Sequence, residues 1–195
     1  KKKTIIFLPG SRASEIKNNM KKLKYVISKS INKFSNYQFY ILTFTENEPL
    51  IRNYVSNNQV KIITDIKKKH DIMKTAYLAV AASGSVTLEL IKYKTPFLVI
   101  YDTHFITKIL IKLMVKIRYA SIINIFYNKE IVPELLFEDF KSESVLNLMH
   151  KLLGKNKLRA EQLRAFKDFE SKMLRNAKNP SYLVSKRILV SMNSL

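Results

Sequence analysis

Short apolar runs and segments of helical hydrophobic spacing alternate along most of the chain. The short runs are rich in β-branched and aromatic residues, which predicts strands at 4–8, 38–43, 60–64, 78–82, 97–101 and 119–122. The segments between them repeat apolar residues every three or four positions, which predicts helices at 15–34, 50–56, 71–75, 85–92, 106–117 and 143–153. Strands that alternate with helices are typical of a parallel sheet with crossover helices, so we expect an α/β, Rossmann-like fold.

The C-terminal part of the chain has a different pattern. Residues 157–191 predict two helices interrupted near Asn179 and Pro180, because proline is tolerated at the start of a helix and disrupts its interior. No repeat or low-complexity linker marks a second domain, so we expect a Rossmann-like domain over residues 1–154 and a helical tail over 155–195. The apolar stretch near the start is shorter than the ~7 to 15 residues of a signal-peptide core. No apolar run approaches the ~18 residues of a membrane-spanning helix.

Charge narrows the range of expected partners. Lysine and arginine number 35 against 15 acidic residues, which gives a formal net charge of +20. This balance favours an anionic partner, which would be a nucleotide, a nucleic acid or an acidic membrane. Codon composition is a second explanation, since only seven of the 35 cations are arginine and the chain is rich in asparagine and isoleucine, as in proteins of AT-rich genomes.

Metal and thiol chemistry are not expected. The chain has no cysteine, which excludes disulfides and thiolate catalysis. Its three histidines, His70, His104 and His150, are far apart and match no metal-ligand spacing, so we predict no metal and no cofactor. Glycine occurs only at positions 10, 84 and 154, so the sequence contains neither the dinucleotide fingerprint nor the P-loop motif.

The first candidate site lies where the first predicted strand meets the first helix, since ligands of open α/β sheets bind beyond the carboxyl ends of the strands. Gly10 permits a tight turn, Ser11 is a candidate N-cap, and Arg12 offers a forked donor suited to phosphate. The free N–H groups and positive dipole end of a helix favour an anion there. A capped turn with a solvated arginine explains this stretch equally well on its own.

A second junction follows the predicted strand 78–82. Gly84 lets a ligand approach the backbone, and the hydroxyls of Ser83 and Ser85 can donate to phosphate. Glu89 lies one helical turn after Ser85, and a carboxylate there can accept both hydroxyl protons of a ribose. A helix start with a surface glutamate explains this stretch equally well on its own.

Together the two junctions resemble those of the donor-binding half of a GT-B glycosyltransferase, in particular the lipid-A-disaccharide synthase family. The family pattern L-P-G-S-R-x-x-E-[IV] is matched by residues 8–16, and A-S-G-[TS]-x-x-L-E is matched by residues 82–89. A [VL]-V-x-Y block resembles residues 98–101, and S-[LI]-x-N-[LI] followed by V-x-E-L-L resembles residues 121–125 and 132–136. The blocks keep their order and spacing over about residues 4–136, which argues against a chance match.

The resemblance implies a role for each matched residue. Arg12 would contact the diphosphate of a UDP-sugar and stabilise the leaving group, and Glu89 would hold the uridine ribose. The family transfers 2,3-diacylglucosamine from UDP to 2,3-diacylglucosamine 1-phosphate in lipid A (lipopolysaccharide) biosynthesis, with inversion and without a metal ion. The implied substrate-binding residues are Gly10, Ser11, Arg12, Ser83, Gly84, Ser85, Glu89 and Asn124.

Two features depart from the family pattern. Family members usually carry Lys or Arg directly after the tyrosine of the third block, where this chain has Asp102. They also have an N-terminal half that supplies the acceptor side and the catalytic base, and nothing in this sequence corresponds to it. We therefore expect the chain alone to be inactive. If it does turn over, His104 and Asp102 are the first candidates for the base.

The resemblance also implies partners and a location. The partners would be UDP-2,3-diacylglucosamine, a lipid acceptor and the N-terminal half, and a homodimer is a further expectation. The protein would be cytoplasmic and peripheral to the cytoplasmic face of the inner membrane. A stripe of Lys108, Lys112 and Lys116 on the predicted helix 106–117 would suit an anionic bilayer, although a crossover helix with a solvated face explains it better.

Two other functions compete with this interpretation. One is another GT-B enzyme that acts on a UDP-N-acetylglucosamine-type donor. The other is a basic nucleic-acid-binding domain, but the sequence has no recognised module and its cations are spread along its length, so we expect no nucleic-acid partner. The tail cations are expected to form a solvated helix face; they are Arg159, Arg164, Lys167, Lys172 and Arg175.

Overall fold

A parallel six-stranded sheet forms the centre of the protein. The computed structural model describes residues 2–55, 60–102 and 118–174. The strand order is β3-β2-β1-β4-β5-β6, and every neighbouring pair is parallel. This is the order of a Rossmann sheet, so the predicted α/β fold is confirmed. The strands are β1 Lys3–Leu8, β2 Tyr37–Leu42, β3 Val60–Ile63, β4 Ala76–Ala82, β5 Phe97–Tyr101 and β6 Glu134–Leu136.

Helices connect the strands and cover both faces of the sheet. They are α1 Ala13–Lys33, α2 Glu48–Arg52, α3 Ile66–Thr75, α4 Val86–Lys92, α5 Ile122–Tyr127, α6 Ser142–Leu153 and α7 Lys157–Leu174. One face packs against α1 and α6, and the other packs against α3, α4 and α7. Side chains along a strand point alternately to the two faces, so Ile5 and Phe7 join one core whereas Ile6 and Leu8 join the other. The central strands are buried on both sides, which explains their continuous apolar sequences.

Helix α7 is a packed layer of the domain. Phe166 is fully buried, and its ring stacks on that of Phe97 with 5.5 Å between the ring centroids. The buried Gln162 donates to the carbonyl of Phe97 and accepts from its N–H, so it satisfies the backbone at the start of β5. Residues 157–174 belong to the predicted helical tail, and they pack on the sheet.

Arg159 departs from the predicted solvated face of α7. Its guanidinium lies 3.7 Å from the centre of the Tyr77 ring and donates to the carbonyls of Tyr77 and Leu152. Burial lowers the pKa of Arg159. The prediction was wrong for this residue because a planar guanidinium can stack on an aromatic ring while its N–H groups stay bonded. Lys172 instead pairs with Asp168 near the surface, and Arg175 lies outside the described residues.

Five of the predicted strands are confirmed to within two residues at each end, but the sixth was wrong. Residues 119–122 lead into α5, and the sixth strand is β6. Glu134 in β6 accepts hydrogen bonds from the N–H groups of Ala120 and Ser121, so it fixes the start of α5. The aromatic Tyr119 and the β-branched Ile122 are typical of a strand, and local composition does not show an acceptor that lies further along the chain.

The predicted helices differ from the observed ones mainly at their starts. Helix α3 begins at Ile66 rather than at residue 71, because Asp65 caps it by accepting from the Lys68 N–H over 2.8 Å. The short helix α2 also begins and ends earlier than predicted. The predicted helix 106–117 and the second tail helix lie outside the described residues. Within the described parts of the chain, no helix combines the length and hydrophobicity needed to cross a bilayer.

Strands β1 and β4 lie side by side in the middle of the sheet. Leu8 is the register partner of Ala81 at their carboxyl ends. The helix that follows β1 covers one face, and the helix that follows β4 covers the other. The two connections therefore diverge at this point and leave a crevice, which is the usual ligand position in a doubly wound sheet.

Phe166→Ala should lower the free energy of unfolding by ~3 to 5 kcal/mol, because it removes a fully buried ring from the core. Urea denaturation followed by circular dichroism measures this change. Met173→Ala, at an exposed position of the same helix, is the control and should change stability by less than ~0.5 kcal/mol. Equally small effects of the two substitutions would contradict the packing of α7 in the core.

Candidate functional site

A cleft of about 270 Å³ opens at the carboxyl ends of β1, β2 and β4. Residues from both predicted junctions line it, although the junctions are far apart in sequence. The structure therefore brings six of the eight predicted site residues together, whereas Arg12 and Asn124 do not line the cleft. The six are Gly10, Ser11, Ser83, Gly84, Ser85 and Glu89. Their roles as ligands of a substrate stay predictions.

The turn after β1 is held by polar contacts on both of its sides. Gly10 has a φ of 125°, which residues with a side chain rarely adopt. On the carbonyl side, the buried Asn19 donates to the Pro9 carbonyl over 2.8 Å, and Asn47 donates to the Ser11 carbonyl over 2.9 Å. On the N–H side, the Glu15 carboxylate accepts from the Ser11 N–H over 3.0 Å.

Helix α1 starts at the edge of this cleft. Its N-cap is Arg12 and not Ser11 as predicted, because the contacts of Ser11 hold that residue in the preceding turn. The Arg12 side chain is exposed and does not line the cleft. The first-turn N–H groups and the positive dipole end of this 21-residue helix follow directly after Ser11, which lines the cleft.

The loop after β4 is fixed by contacts outside the cleft. The Ser83 hydroxyl donates to the Ala120 carbonyl over 3.0 Å, and the Ser83 N–H donates to the Ile100 carbonyl. Thr87 Oγ1 donates to the Gly84 carbonyl over 2.7 Å. Apart from Gly84 and its two neighbours in the chain, no described residue has an atom within 4 Å of the position that a Cβ of Gly84 would take. A ligand can therefore approach the backbone of this loop closely.

Glu89 reaches the cleft from the first turn of α4. Its carboxylate is half-exposed, and Oε2 lies 3.5 Å from Nδ1 of His70. The same nitrogen of His70 lies 2.9 Å from the Tyr93 hydroxyl oxygen. Glu89 therefore lines the cleft with His70 as a close neighbour, while Nδ1 of His70 makes its hydrogen bond with the Tyr93 hydroxyl.

A third part of the cleft wall is formed by residues that follow β2 and β3. None of these residues was predicted from the sequence. Phe44 and Ile66 are exposed apolar side chains there, with 46% and 66% of their surface accessible. They follow β2 and β3, so the rule that located the two junctions would have found them if applied to every strand. This part of the wall consists of Thr43, Phe44, Ile66, Lys69, His70 and Met73.

Lys69 contributes an ammonium group to the described wall of the cleft. Its Nζ donates to the Thr43 carbonyl over 2.9 Å and lies 4.2 Å from the centre of the Phe44 ring. Burial lowers the pKa of Lys69, and the carboxylates of Glu89, Glu46 and Asp65 partly offset this effect. The cleft therefore offers a ligand an ammonium group beside an aromatic face.

Asn124 lies away from the cleft and is fully buried. Its amide nitrogen donates to the Val132 carbonyl and the Glu134 carboxylate. Its side-chain oxygen accepts from the N–H groups of Ile131 and Val132. All four hydrogen-bonding positions are thus used to join α5 to the segment that enters β6. The predicted contact between Asn124 and a donor substrate stays a prediction, and it would require this network to open.

Asp102 follows β5 and is paired with a lysine. Lys22 Nζ lies 2.7 Å from Asp102 Oδ2 and also donates to the Phe137 carbonyl. The Asp102 N–H donates to the side chain of Asn19. Where the family pattern has a cation, this chain therefore has Asp102, and the carboxylate of Asp102 forms an ion pair with Lys22 of α1. His104 and the stripe of Lys108, Lys112 and Lys116 lie outside the described residues.

An apolar groove of about 250 Å³ shares the loop 83–85 with the cleft. Leu88, Ile122 and Ile125 form much of its wall and are all exposed. The loop 83–85 therefore separates a cleft with charged groups from an apolar groove. In the parts of the chain that the structure describes, no three His, Asp or Glu side chains are grouped to hold a metal ion.

The fold and the position of the cleft define the class of Rossmann-type α/β domains found in GT-B glycosyltransferases and related epimerases. A UDP-GlcNAc 2-epimerase from Neisseria meningitidis, solved with UDP-GlcNAc bound, has a TM-score of 0.59 and 13% identity over 89% of this chain and 45% of that chain. WaaG, a glycosyltransferase involved in lipopolysaccharide biosynthesis, has a TM-score of 0.55 and 14% identity over 87% and 43%. At these identities the likeness is one of fold.

Sequence comparison identifies the family. The family model of lipid-A-disaccharide synthetase matches residues 1–188. The lipid-A-disaccharide synthase of Rickettsia prowazekii (strain Madrid E) is 28% identical over 181 residues, which are 92% of this chain and 48% of that protein. The chain belongs to the lipid-A-disaccharide synthetase family, as the four sequence blocks predicted, and it spans about half the length of the curated relatives it matches.

Asn124→Ala should lower the free energy of unfolding by ~2 to 4 kcal/mol, because the Glu134 carboxylate and two backbone N–H groups would each lose a buried partner. Chemical denaturation measures the loss. Asn53→Ala, at an exposed position just after α2, is the matched control. A stability of the Asn124 variant equal to that of the control would contradict the structural role of Asn124.

Proposed function

We propose that this chain is the UDP-sugar-binding half of a lipid-A-disaccharide synthase. The enzyme would transfer 2,3-diacylglucosamine from UDP-2,3-diacylglucosamine to 2,3-diacylglucosamine 1-phosphate and release UDP. The observation that carries the proposal is the cleft in which the turn after β1 and the loop after β4 meet. Family membership supports the reaction, since the curated relatives bear the name of this enzyme.

The diphosphate would lie between the turn after β1 and the loop after β4. The N–H groups of the first turn of α1 have no partner within the helix and follow directly after Ser11, which lines the cleft, and the helix dipole would favour an anion there. The hydroxyls of Ser11 and Ser85 line the same space. Arg12 occupies the N-cap of α1, so its exposed guanidinium can contact the outer phosphate at the mouth of the cleft.

The nucleoside would lie along the wall beyond β2 and β3. Glu89, whose Oε2 lies 3.5 Å from Nδ1 of His70, would accept the two ribose hydroxyl protons. The exposed ring of Phe44 and the side chain of Ile66 offer an apolar surface for the uracil. Lys69 lies beside that surface and can donate to a carbonyl oxygen of the base.

Departure of UDP places negative charge on the β-phosphate. Arg12 and the N–H groups of α1 would stabilise this charge by fixed electrostatics, which requires no metal ion. Inversion also requires a base that deprotonates the acceptor hydroxyl, and we assign it to the N-terminal half of the enzyme. Alignment of acceptor and donor can lower the barrier by ~7 to 11 kcal/mol, so we expect this chain alone to bind the donor without making the disaccharide.

The acylated sugar would extend over the loop 83–85 into the apolar groove. Leu88, Ile122 and Ile125 would contact the acyl chains there. Substrates of this kind reside in a bilayer, so we propose that the enzyme works at the cytoplasmic face of the inner membrane. The N-terminal half and a second copy of the enzyme are the proposed protein partners.

A second candidate function is a GT-B reaction on a UDP-N-acetylglucosamine-type donor. The fold shared with the UDP-GlcNAc 2-epimerase favours it, because such a ligand would fill the cleft and leave the apolar groove aside. Tighter binding of UDP-2,3-diacylglucosamine than of UDP-N-acetylglucosamine would decide for the acylated donor. Nucleic-acid binding would instead show a steep loss of affinity with salt.

The 195-residue chain should bind UDP in excess chelator, and isothermal titration calorimetry measures this directly. Arg12→Ala should make the binding free energy of UDP less favourable by roughly 1.5 to 3 kcal/mol, the usual contribution of a hydrogen bond to a charged group. Uridine, which lacks phosphates, should bind equally well to both. Arg52→Ala is the matched control, since Arg52 is an exposed arginine paired with Glu48 on α2. Binding that requires magnesium would contradict the metal-free mechanism.

Glu89→Gln should lower the affinity for UDP, because it replaces one acceptor that would face the ribose with a donor while keeping the shape of the side chain. The variant and the parent should bind 2′,3′-dideoxy-UDP about equally, since this ligand lacks both hydroxyl groups. Competition calorimetry compares the two ligands. If the parent does not prefer the hydroxylated nucleotide, the assignment of Glu89 to the ribose is wrong.

A further inference from the structure

The start of α1 already holds a carboxylate of this chain. Glu15 Oε2 accepts the hydrogen bond of the Ser11 N–H over 3.0 Å. The Glu15 side chain folds so closely onto the turn that a Cβ at Gly10 would overlap its carboxylate. Glu15 also lines the cleft. A negative group of the protein therefore occupies a backbone donor that a diphosphate in this cleft would need.

Two other contacts hold the carbonyl side of the turn without Glu15. Asn19 and Asn47, both buried, hold the carbonyls of Pro9 and Ser11. Helix α1 is anchored independently by the apolar residues Ile16 and Met20, which are fully buried. Glu15 itself is only partly buried, so its side chain can rotate into solvent without disturbing the core. Of the contacts at this turn, the one made by Glu15 is the most readily exchanged.

We infer that Glu15 is an internal competitor of the diphosphate. Its carboxylate pairs with the Ser11 N–H when the cleft holds no nucleotide, and phosphate oxygens displace it when UDP enters. This inference rests on the proposed function of the cleft. The physical basis is that a helix start attracts any anion, and a diphosphate carries more charge than one carboxylate. The exchange keeps the N–H bonded in both states and lowers the affinity for weakly charged anions.

The change in UDP affinity on Glu15→Gln distinguishes a competing role of Glu15 from a purely structural one. Glu15→Gln keeps the length of the side chain and an oxygen that accepts from the Ser11 N–H, but it removes the negative charge. If Glu15 competes with the diphosphate, UDP should bind the variant more tightly by roughly three- to tenfold, the effect of removing one like charge a few ångströms away in a solvated cleft. If Glu15 only supports the turn, UDP should bind equally well or more weakly.

Calorimetry on the 195-residue chain at low salt compares the parent, Glu15→Gln and Glu161→Gln. Glu161 lies on α7 and is not part of the cleft wall; it forms a long ion pair of 3.9 Å with Lys157, and its substitution changes the net charge equally. The expected result is tighter UDP binding by Glu15→Gln alone, with uridine unchanged in all three proteins. The gain should shrink as salt is added, because added ions screen the carboxylate. Circular dichroism checks that each variant is folded.

Failure of the inference can be distinguished from failure of the proposed function. If the parent binds UDP and Glu15→Gln gives no gain, Glu15 is not a competitor and the UDP site stands. If no protein binds UDP, the proposed function is wrong, and a titration with inorganic pyrophosphate followed by the amide NMR signal of Ser11 decides about Glu15 separately. Tighter pyrophosphate binding by Glu15→Gln supports the inference, and equal or absent binding overturns it.

Discussion

The parallel pairing of β1 with β4 is the contact on which the site depends. Their register places Leu8 beside Ala81, so the turn at Gly10 and the loop at Gly84 leave the sheet at the same level. Because α1 and α4 then cover opposite faces, the two connections separate and do not fill the space between them. The cleft is thus a consequence of strand order, and the side chains at its edge determine what it can bind.

Asn19 fixes the position of the turn after β1 relative to the neighbouring strands. Its buried amide donates to the Pro9 carbonyl and accepts from the Asp102 N–H, so it joins the turn after β1 to the end of β5. One turn further along α1, Lys22 pairs with the carboxylate of Asp102. An acid at position 102 is therefore accommodated because the same helix supplies its counter-ion. At this position the chain departs from the family pattern, and the result is the ion pair of Asp102 and Lys22 at the end of β5.

The sequence predicted those features that follow from burial and turn chemistry. Strands β1, β4 and β5 were found because burial on both faces requires continuous apolar runs. The turns at Gly10 and Gly84 were found because glycine next to a helix start is a local signal. The sixth strand was missed because the bonds between Glu134 and the start of α5 join residues more than ten positions apart. Phe44, Ile66 and Lys69 belong to no motif; the first two could be located only by applying the strand-end rule to every strand, and Lys69 reaches the cleft through the fold.

The net charge of +20 does not explain how the cleft would hold an anion. Among the described residues of its wall, the ammonium group of Lys69 stands against the two carboxylates of Glu15 and Glu89. Attraction for a phosphate must therefore come mainly from oriented N–H groups and the dipole of α1, which act over a few ångströms. The lysines on the remaining surface act over about a Debye length and are screened by salt. The surface charge would therefore favour encounter with an anion, whereas the backbone geometry where β1 and β4 diverge would determine which anion stays bound.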